Sequence, residues 1–242
     1  MMKPVEILLI GGLTVVAAAV GTVTGFGTST VMVPVLTLFY PLPVTLLLVG
    51  IIHFFGDIWK VVLFKKGIKW RLILLFGIPG VVASLAGASL VFAVPQATLS
   101  RILGAVLAAY PVFIFVNHKF KLPQNVGSSL TGGALSGFLA GIFGVGGPVR
   151  GAFLAAFNLD KVVYIATSGA IGILVDLTRL TRYAAGGIGL PRALTLGLLV
   201  FIPASFLGAV IAEKVVTKIP QKLFRKIVAI FLLLVGIKLL IV

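Results

Sequence analysis

The sequence predicts an all-α polytopic membrane protein made of two related halves. First, 60% of the 242 residues are hydrophobic and only 10% are charged, whereas a soluble domain is about one quarter charged. Second, several continuous apolar runs reach the ~20 residues that a helix needs to cross a bilayer. Third, a glycine-rich break at Gly144–Pro148 recurs in weaker form at Gly25–Thr28.

One constant offset in residue number aligns the two halves. The series of matches predicts a first transmembrane repeat over residues 1–122 and a second over residues 123–242, which together form one membrane domain. The aligned pairs are Gly25 with Gly144, Gly27 with Gly146, Gly50 with Gly169, Asp57 with Asp176, and Lys60 with Arg179.

The apolar runs give the elements of each half in order. The first half predicts helices over about 5–24, 29–40, 44–64, 72–94 and 99–117. The second half repeats the plan over about 128–143, 149–157, 161–185, 191–212 and 221–242. We expect the first run to be retained, because no small-residue cleavage site closes it. The chain has no cysteine, which excludes disulfides and thiolate metal sites.

The distribution of Lys and Arg predicts the orientation of the helices. The loop Lys65–Arg71 is strongly basic and its counterpart near 182–192 is not, whereas at the next loop the bias reverses in favour of 214–226. Basic loops face the cytoplasm, so the halves are predicted to be inverted-topology repeats, with residues 185–190 outside. Each repeat then has a glycine-broken helix pair, either re-entrant or of short tilted crossings, followed by three transmembrane helices.

The two breaks are the predicted substrate site. Irregular backbone at membrane depth is tolerated only inside protein or beside a watery cavity, and a helix that begins there offers free N–H groups and a positive dipole end to an anion. At Gly146 we expect a close backbone approach or a positive φ. The alternative is that these glycines only let helices pack closely. The candidate substrate-binding residues are Gly25, Phe26, Gly27, Thr28, Ser29, Thr30, Gly144, Gly146, Gly147, Pro148 and Arg150.

Two acid–base pairs lie inside apolar segments and are candidates for proton coupling. Asp57 precedes Lys60 by three residues, and Asp176 precedes Arg179 by three, so each pair shares a helix face. Charges inside a membrane usually face a functional interior; the alternative is a local ion pair that only orients its helix. His53 lies one turn before Asp57 and could share a proton with it, or be a packing residue.

Arg150, which follows the second break, is the predicted cation for an anionic group, because its planar fork can bind oxygens bidentately. The alternative is an arginine that extends to the membrane interface. The net charge of +15 is confined to connectors, where it suits lipid headgroups, so nucleic acid is not an expected partner. No cofactor and no metal site are expected.

Two motifs carry a resemblance to a known family. Gly21, Gly25, Phe26 and Gly27 lead to Val33–Leu36 in the first half, and the second half holds the run Ser136–Pro148. Over its whole length the chain resembles the TauE/SafE permeases, also called sulfite exporters or the TSUP family. The resemblance implies two related halves and movement of sulfite, sulfonates or other organosulfur anions. The chain departs from the family pattern in Thr28–Thr30, where glycines are common, and in Arg150, where a small or apolar residue is expected.

The function predicted from the sequence is transport of a small anion across the plasma or inner membrane by alternating access, with proton coupling as an option. An anion channel would use the same buried groups, and a lipid-modifying enzyme is a further alternative. The chain is not expected to be an enzyme, because five acidic residues give little from which to build a catalytic centre. Expected partners are the anion, membrane lipid and, as an open option, a second copy in a homodimer.

Overall fold

A computed structural model of the protein describes residues 4–65, 68–116, 123–155, 157–215 and the single positions 233, 237, 240 and 241. Regular secondary structure in this part of the chain is entirely helical, which confirms the all-α prediction. The helices are α1 (Pro4–Thr24), α2 (Ser29–Leu36), α3 (Leu42–Leu63), α4 (Trp70–Ala93), α5 (Gln96–Val116), α6 (Val126–Phe143), α7 (Gly147–Ala155), α8 (Lys161–Ala185) and α9 (Arg192–Val215).

Six of these helices, α1, α3, α4, α6, α8 and α9, are long and apolar enough to cross a membrane. Their ends lie within a few residues of the predicted ones, because proline and glycine mark the connections. Helix α5 covers residues 99–116 of the span predicted over 99–117, and residue 117 lies outside the described residues. The span predicted over 221–242 lies outside the described residues, apart from four single positions.

Each glycine break separates a long helix from a short one. Helix α1 has 21 residues and α2 has 8, while α6 has 18 and α7 has 9. Helix α2 runs back along α1: Gly27 N–H donates to Gly21 O over 3.1 Å, and Thr14 Oγ1 lies 3.7 Å from Met32 Sδ. Helix α2 therefore returns alongside part of α1, and that the first stretch begins and ends on one side of the membrane stays a prediction. The unequal lengths fit a full-length helix with a short return helix, not two short crossings.

Helices α3 and α8 pack against each other in opposite directions at the centre of the molecule. The first part of α3 meets the last part of α8, since Gly50 faces Leu180, and the second part of α3 meets the first part of α8, since Gly169 faces Asp57. The two helices are equivalent members of the two halves. Their antiparallel contact is the arrangement that inverted repeats predict.

Two further contacts relate the halves. Helix α4 packs on α6, where Gly133, Gly137 and Gly141 bring the α6 backbone directly onto the backbone of α4. Helix α9 packs on α1 in the same manner, with Gly208 against the α1 backbone. Because α4 corresponds to α9 and α6 to α1, each contact is the counterpart of the other. The inverted orientation in a membrane stays a prediction.

Candidate functional site

The two glycine breaks meet where the halves join. Gly147, at the start of α7, packs on the Phe26 backbone so closely that any side chain would overlap the Phe26 carbonyl. The next turn of α7 brings Gly151 against the Phe26 ring. The structure therefore places the starts of α2 and α7 next to each other, where the sequence predicts the substrate site.

The first break takes its shape from two glycines in the left-handed region. Gly25 has φ +71° and Gly27 has φ +85°, a conformation that costs glycine little and other residues more. A side chain at Gly27 would overlap the His53 imidazole. Thr30 Oγ1 donates to Phe26 O over 2.7 Å, which fixes the turn that enters α2.

The second break differs from the sequence prediction at one position. Gly144, with φ +70°, ends α6, whereas Gly146 does not have a positive φ. Gly146 instead packs on the Ser136 carbonyl of α6, so the close approach that requires glycine there is helix packing. Pro148 lies in the first turn of α7, where the missing N–H breaks no helical hydrogen bond.

Arg150 is buried, with an exposed fraction of 2%, so it does not extend to the membrane interface. Its Nε donates to Ser168 Oγ over 3.1 Å, and Ser168 Oγ donates to Gly25 O over 3.3 Å. This chain of hydrogen bonds ties the arginine of the second half to the first break. Arg150 Nη2 lies 3.9 Å from Asp57 Oδ2, which is an ion-pair distance but too long for a hydrogen bond.

The two members of each predicted acid–base pair are in contact in the structure. Lys60 Nζ lies 2.6 Å from Asp57 Oδ1, and Arg179 Nε lies 2.8 Å from Asp176 Oδ1. All four side chains are buried, Lys60 included. Fully buried charges are stable only when they are paired, so each base neutralises the carboxylate three residues before it.

His53 has a different principal partner from the one that its sequence neighbours suggest. Its Nδ1 lies 2.6 Å from Asp176 Oδ2 on α8 and 3.6 Å from Asp57 Oδ2 on its own helix. That His53 shares a proton with Asp57 stays a prediction, and the structure adds Asp176 as the closer partner. The short contact links the two halves, which no spacing within one helix could indicate.

Each carboxylate thus has a base three residues later on its own helix and a further partner from the other half, and Asp57 also lies 3.6 Å from His53 on its own helix. Asp176 is reached by His53, and Asp57 is approached by Arg150. The offset that aligns Asp57 with Asp176 also aligns His53 with Gly172, whose missing side chain leaves room for the Asp57 carboxylate. The same offset aligns Arg150 with a valine, so the two links are chemically different: one is a histidine and the other a permanent cation.

Sequence reasoning missed three contributors. Ser168 connects Arg150 to the first break, Gly172 makes room for Asp57, and Tyr164 OH donates to Thr24 O over 3.2 Å. Only Gly172 carries a signal in the sequence, because the constant offset pairs it with His53. The other two become visible only when α8 is packed beside the first break.

Several buried polar atoms around the breaks lack a hydrogen-bond partner among the described residues. Two belong to neutral side chains of the first half, two to guanidinium groups of the second, and one to a carboxylate. Buried polar groups are nearly always satisfied, so such a cluster is a candidate place for ordered water, an ion or another ligand. These atoms are His53 Nε2, Thr28 Oγ1, Arg150 Nη2, Arg179 Nη1 and Asp57 Oδ2.

The charges do not suit a metal ion. His53, Asp57 and Asp176 offer ligand atoms within 4.8 Å of one another. However, Lys60 and Arg179 already pair with the two carboxylates. These two positively charged side chains would repel a divalent cation. Arg150 adds a third positive charge beside the same group. The donor set therefore fits an anion better than a cation.

Comparison with known proteins agrees with the sequence resemblance. The model of the sulfite exporter TauE/SafE family matches residues 10–239. No curated protein matches the chain. The match covers nearly the whole sequence, so the chain belongs to the TauE/SafE family. It is a membrane protein of the exporter-type transporter class.

Proposed function

We propose that this TauE/SafE member is a secondary transporter that moves a small anion, such as sulfite or a sulfonate, across the cell membrane by alternating access. The observation that carries the proposal is the pair of buried, unpartnered guanidinium nitrogens, Arg150 Nη2 and Arg179 Nη1, together with the Thr28 hydroxyl at the junction of the two breaks. We take this membrane to be the plasma or inner membrane, from the family.

Charge is the first support. The junction holds three basic side chains, Lys60, Arg150 and Arg179, against two carboxylates, Asp57 and Asp176. All five side chains are buried, so water screens the excess positive charge poorly. A bound anion would offset this excess positive charge. Burial of an anion in an apolar interior is costly without such compensation.

The orientation of the unpartnered guanidinium nitrogens also supports an anion site. Arg150 is held through Nε by Ser168, while Nη2 makes no hydrogen bond. A guanidinium fixed on one edge and free on the other is prepared to bind an oxyanion. Arg179 Nη1, which also lacks a hydrogen-bond partner among the described residues, lies 3.3 Å from the position that a Cβ at Gly144 would take, beside the second break.

The starts of α2 and α7 add fixed partial charge. At the start of α2 the N–H groups of Thr30 and Val31 already donate to Gly27 O and Thr28 O, so the main contribution of the helix starts is the positive end of the macrodipole. Thr28 precedes α2 and makes no capping hydrogen bond with its side chain, so its hydroxyl also stays available. Two helix starts and two arginines together match a tetrahedral or pyramidal oxyanion better than a large apolar substrate.

The arrangement of the halves supports alternating access. Antiparallel contact between α3 and α8, with counterpart contacts on either side, gives two related half-molecules that can exchange roles on the two faces of the membrane. The partners we propose are the anion and membrane lipid. A second copy of the chain is a further option, and nucleic acid is not proposed.

Counterflow in proteoliposomes tests the function. Vesicles loaded with unlabelled sulfonate should accumulate labelled sulfonate transiently, and uptake should saturate as the external concentration rises. Non-saturating flux without counterflow would indicate a channel instead. Absence of both flux and binding across a panel of sulfite, sulfate and sulfonates would refute the proposal.

A further inference from the structure

His53 offers a route to coupling because its two ring nitrogens face different groups. Nδ1 lies 2.6 Å from Asp176 Oδ2. Asp176 also accepts a hydrogen bond from Arg179 Nε through its other oxygen, which holds it as a carboxylate. The proton of this contact therefore belongs to Nδ1, and the carboxylate accepts it.

The other nitrogen faces the first break. Nε2 is buried, lacks a hydrogen-bond partner in the described part of the chain, and lies against Gly27. In a neutral imidazole only one nitrogen carries a hydrogen. With that hydrogen on Nδ1, Nε2 presents a lone pair to the break, and a lone pair repels an anion.

We infer that one proton adds to His53 Nε2 when the anion binds, so that anion and proton are bound and carried together. The inference rests on the proposed function, since it concerns the same site. The proton comes from solution and forms a new N–H bond at Nε2, while the Nδ1–H bond and its contact with Asp176 are kept. The resulting imidazolium donates from Nε2 to the anion.

The surroundings favour this proton on His53 over other groups. On α3 the charged neighbours are Asp57 and Lys60; on α8 they are Asp176 and Arg179; on α7 there is Arg150. Helix α2 contributes no charged residue. Both carboxylates are already held by basic side chains, whereas His53 Nε2 has no hydrogen-bond partner among the described residues and can accept a proton.

The other contact between the halves, from Arg150 to Asp57, cannot take up a proton in this way. At the position that aligns with His53 stands Gly172, and Asp57 is instead approached by Arg150, which stays charged at all relevant pH values. One link between the halves thus holds a permanent charge, and the other changes its charge with the ligand. This asymmetry predicts one proton for each anion, not two.

Calorimetry on the purified full-length protein tests the inference. Methanesulfonate is the probe, because a sulfonate keeps its charge over the range in which histidine titrates, whereas sulfite does not. Titrations in two buffers of different ionisation enthalpy give the number of protons taken up on binding. We expect uptake of up to one proton for each methanesulfonate bound, and affinity that rises up to about ten-fold for each pH unit lowered.

Three variants separate the roles of the nitrogens. His53→Asn keeps a donor for Asp176 and removes Nε2, so binding should weaken and proton uptake should vanish. His53→Gln puts an uncharged donor near the place of Nε2, so binding should persist without proton uptake. His118→Gln, at the chain's other histidine, is the matched control and should behave as the wild type.

The outcomes also separate this inference from the proposed function. Binding without proton uptake by the wild type would overturn the coupling while the anion site stands. Undiminished proton uptake by His53→Gln would also overturn it, and would assign the proton to a carboxylate. If the wild type binds no anion, or if Arg150→Gln binds methanesulfonate as the wild type does, the proposed site fails and the inference fails with it.

Discussion

His53 Nδ1 lies 2.6 Å from Asp176 Oδ2, and this contact joins the first half of the chain to the second at mid-length of two antiparallel helices. Asp57 lies one turn further along α3 and Gly172 one turn earlier along α8. The contact therefore lies near the axis that would relate the halves. A motion of one half against the other must break or tilt it.

The first prediction concerns the carboxylates. Asp57→Asn removes the charge that holds Lys60, and leaving a buried charge unpaired costs about 3–5 kcal/mol. We expect a clear loss of thermal stability and of transport, and the same for Asp176→Asn, which leaves Arg179 unpaired. Melting temperature in detergent and uptake by proteoliposomes are the measurements.

A double variant separates packing from charge in this prediction. Asp57→Asn with Lys60→Met removes both members of the pair, so stability should largely return. Transport should not return, because Asp57 also faces Arg150 across 3.9 Å. Full transport by the double variant would show that the pair is only structural.

The second prediction uses Gly172. A methyl group there would overlap the Asp57 carboxylate, so Gly172→Ala should displace Asp57 and weaken anion binding, with an overpacking cost of about 1–3 kcal/mol. Gly12→Ala is the matched control, because no atom lies within 4 Å of its Cβ position. Equal anion affinity in the two variants would contradict the described geometry.

The third prediction concerns topology. A single introduced cysteine can be labelled specifically, because the chain has no cysteine of its own. Gly67→Cys should be labelled from the cytoplasm and Gly189→Cys from outside, because the basic loops alternate in the way that inverted repeats require. Gly189 is chosen over Gly187 because Gly187 has φ +83°, which would strain a cysteine. Labelling of both from the same side would exclude inverted repeats.

The sequence predicts the helices and the breaks well because both depend on local properties. Apolar runs end at proline, glycine or charge, and the acid–base pairs three residues apart need only one helix to meet. The contacts between the halves depend on how the helices pack against each other, and the spacing of residues along the sequence does not predict this packing. This is why His53 was paired with Asp57 by sequence and lies closer to Asp176, and why Ser168 was missed.

Gly146 is a second example of a residue whose contacts could not be predicted from the sequence. The sequence identifies it as a special glycine but cannot say what approaches it. In the structure its neighbour is the Ser136 carbonyl of α6. Gly146→Val would therefore disrupt helix packing, so a loss of transport in this variant would not report on the anion.

The most direct test of an anion site at the breaks is the affinity of Arg150 variants for a sulfonate. Arg150→Gln should bind about ten- to a hundred-fold more weakly, since a hydrogen bond to a charged group contributes roughly 1.5–3 kcal/mol. Arg150→Lys should recover part of the loss, because it restores the charge but not the planar fork. Arg192→Gln, which removes an exposed arginine, should bind as the wild type does. Unchanged affinity in a folded Arg150→Gln protein would place the site elsewhere.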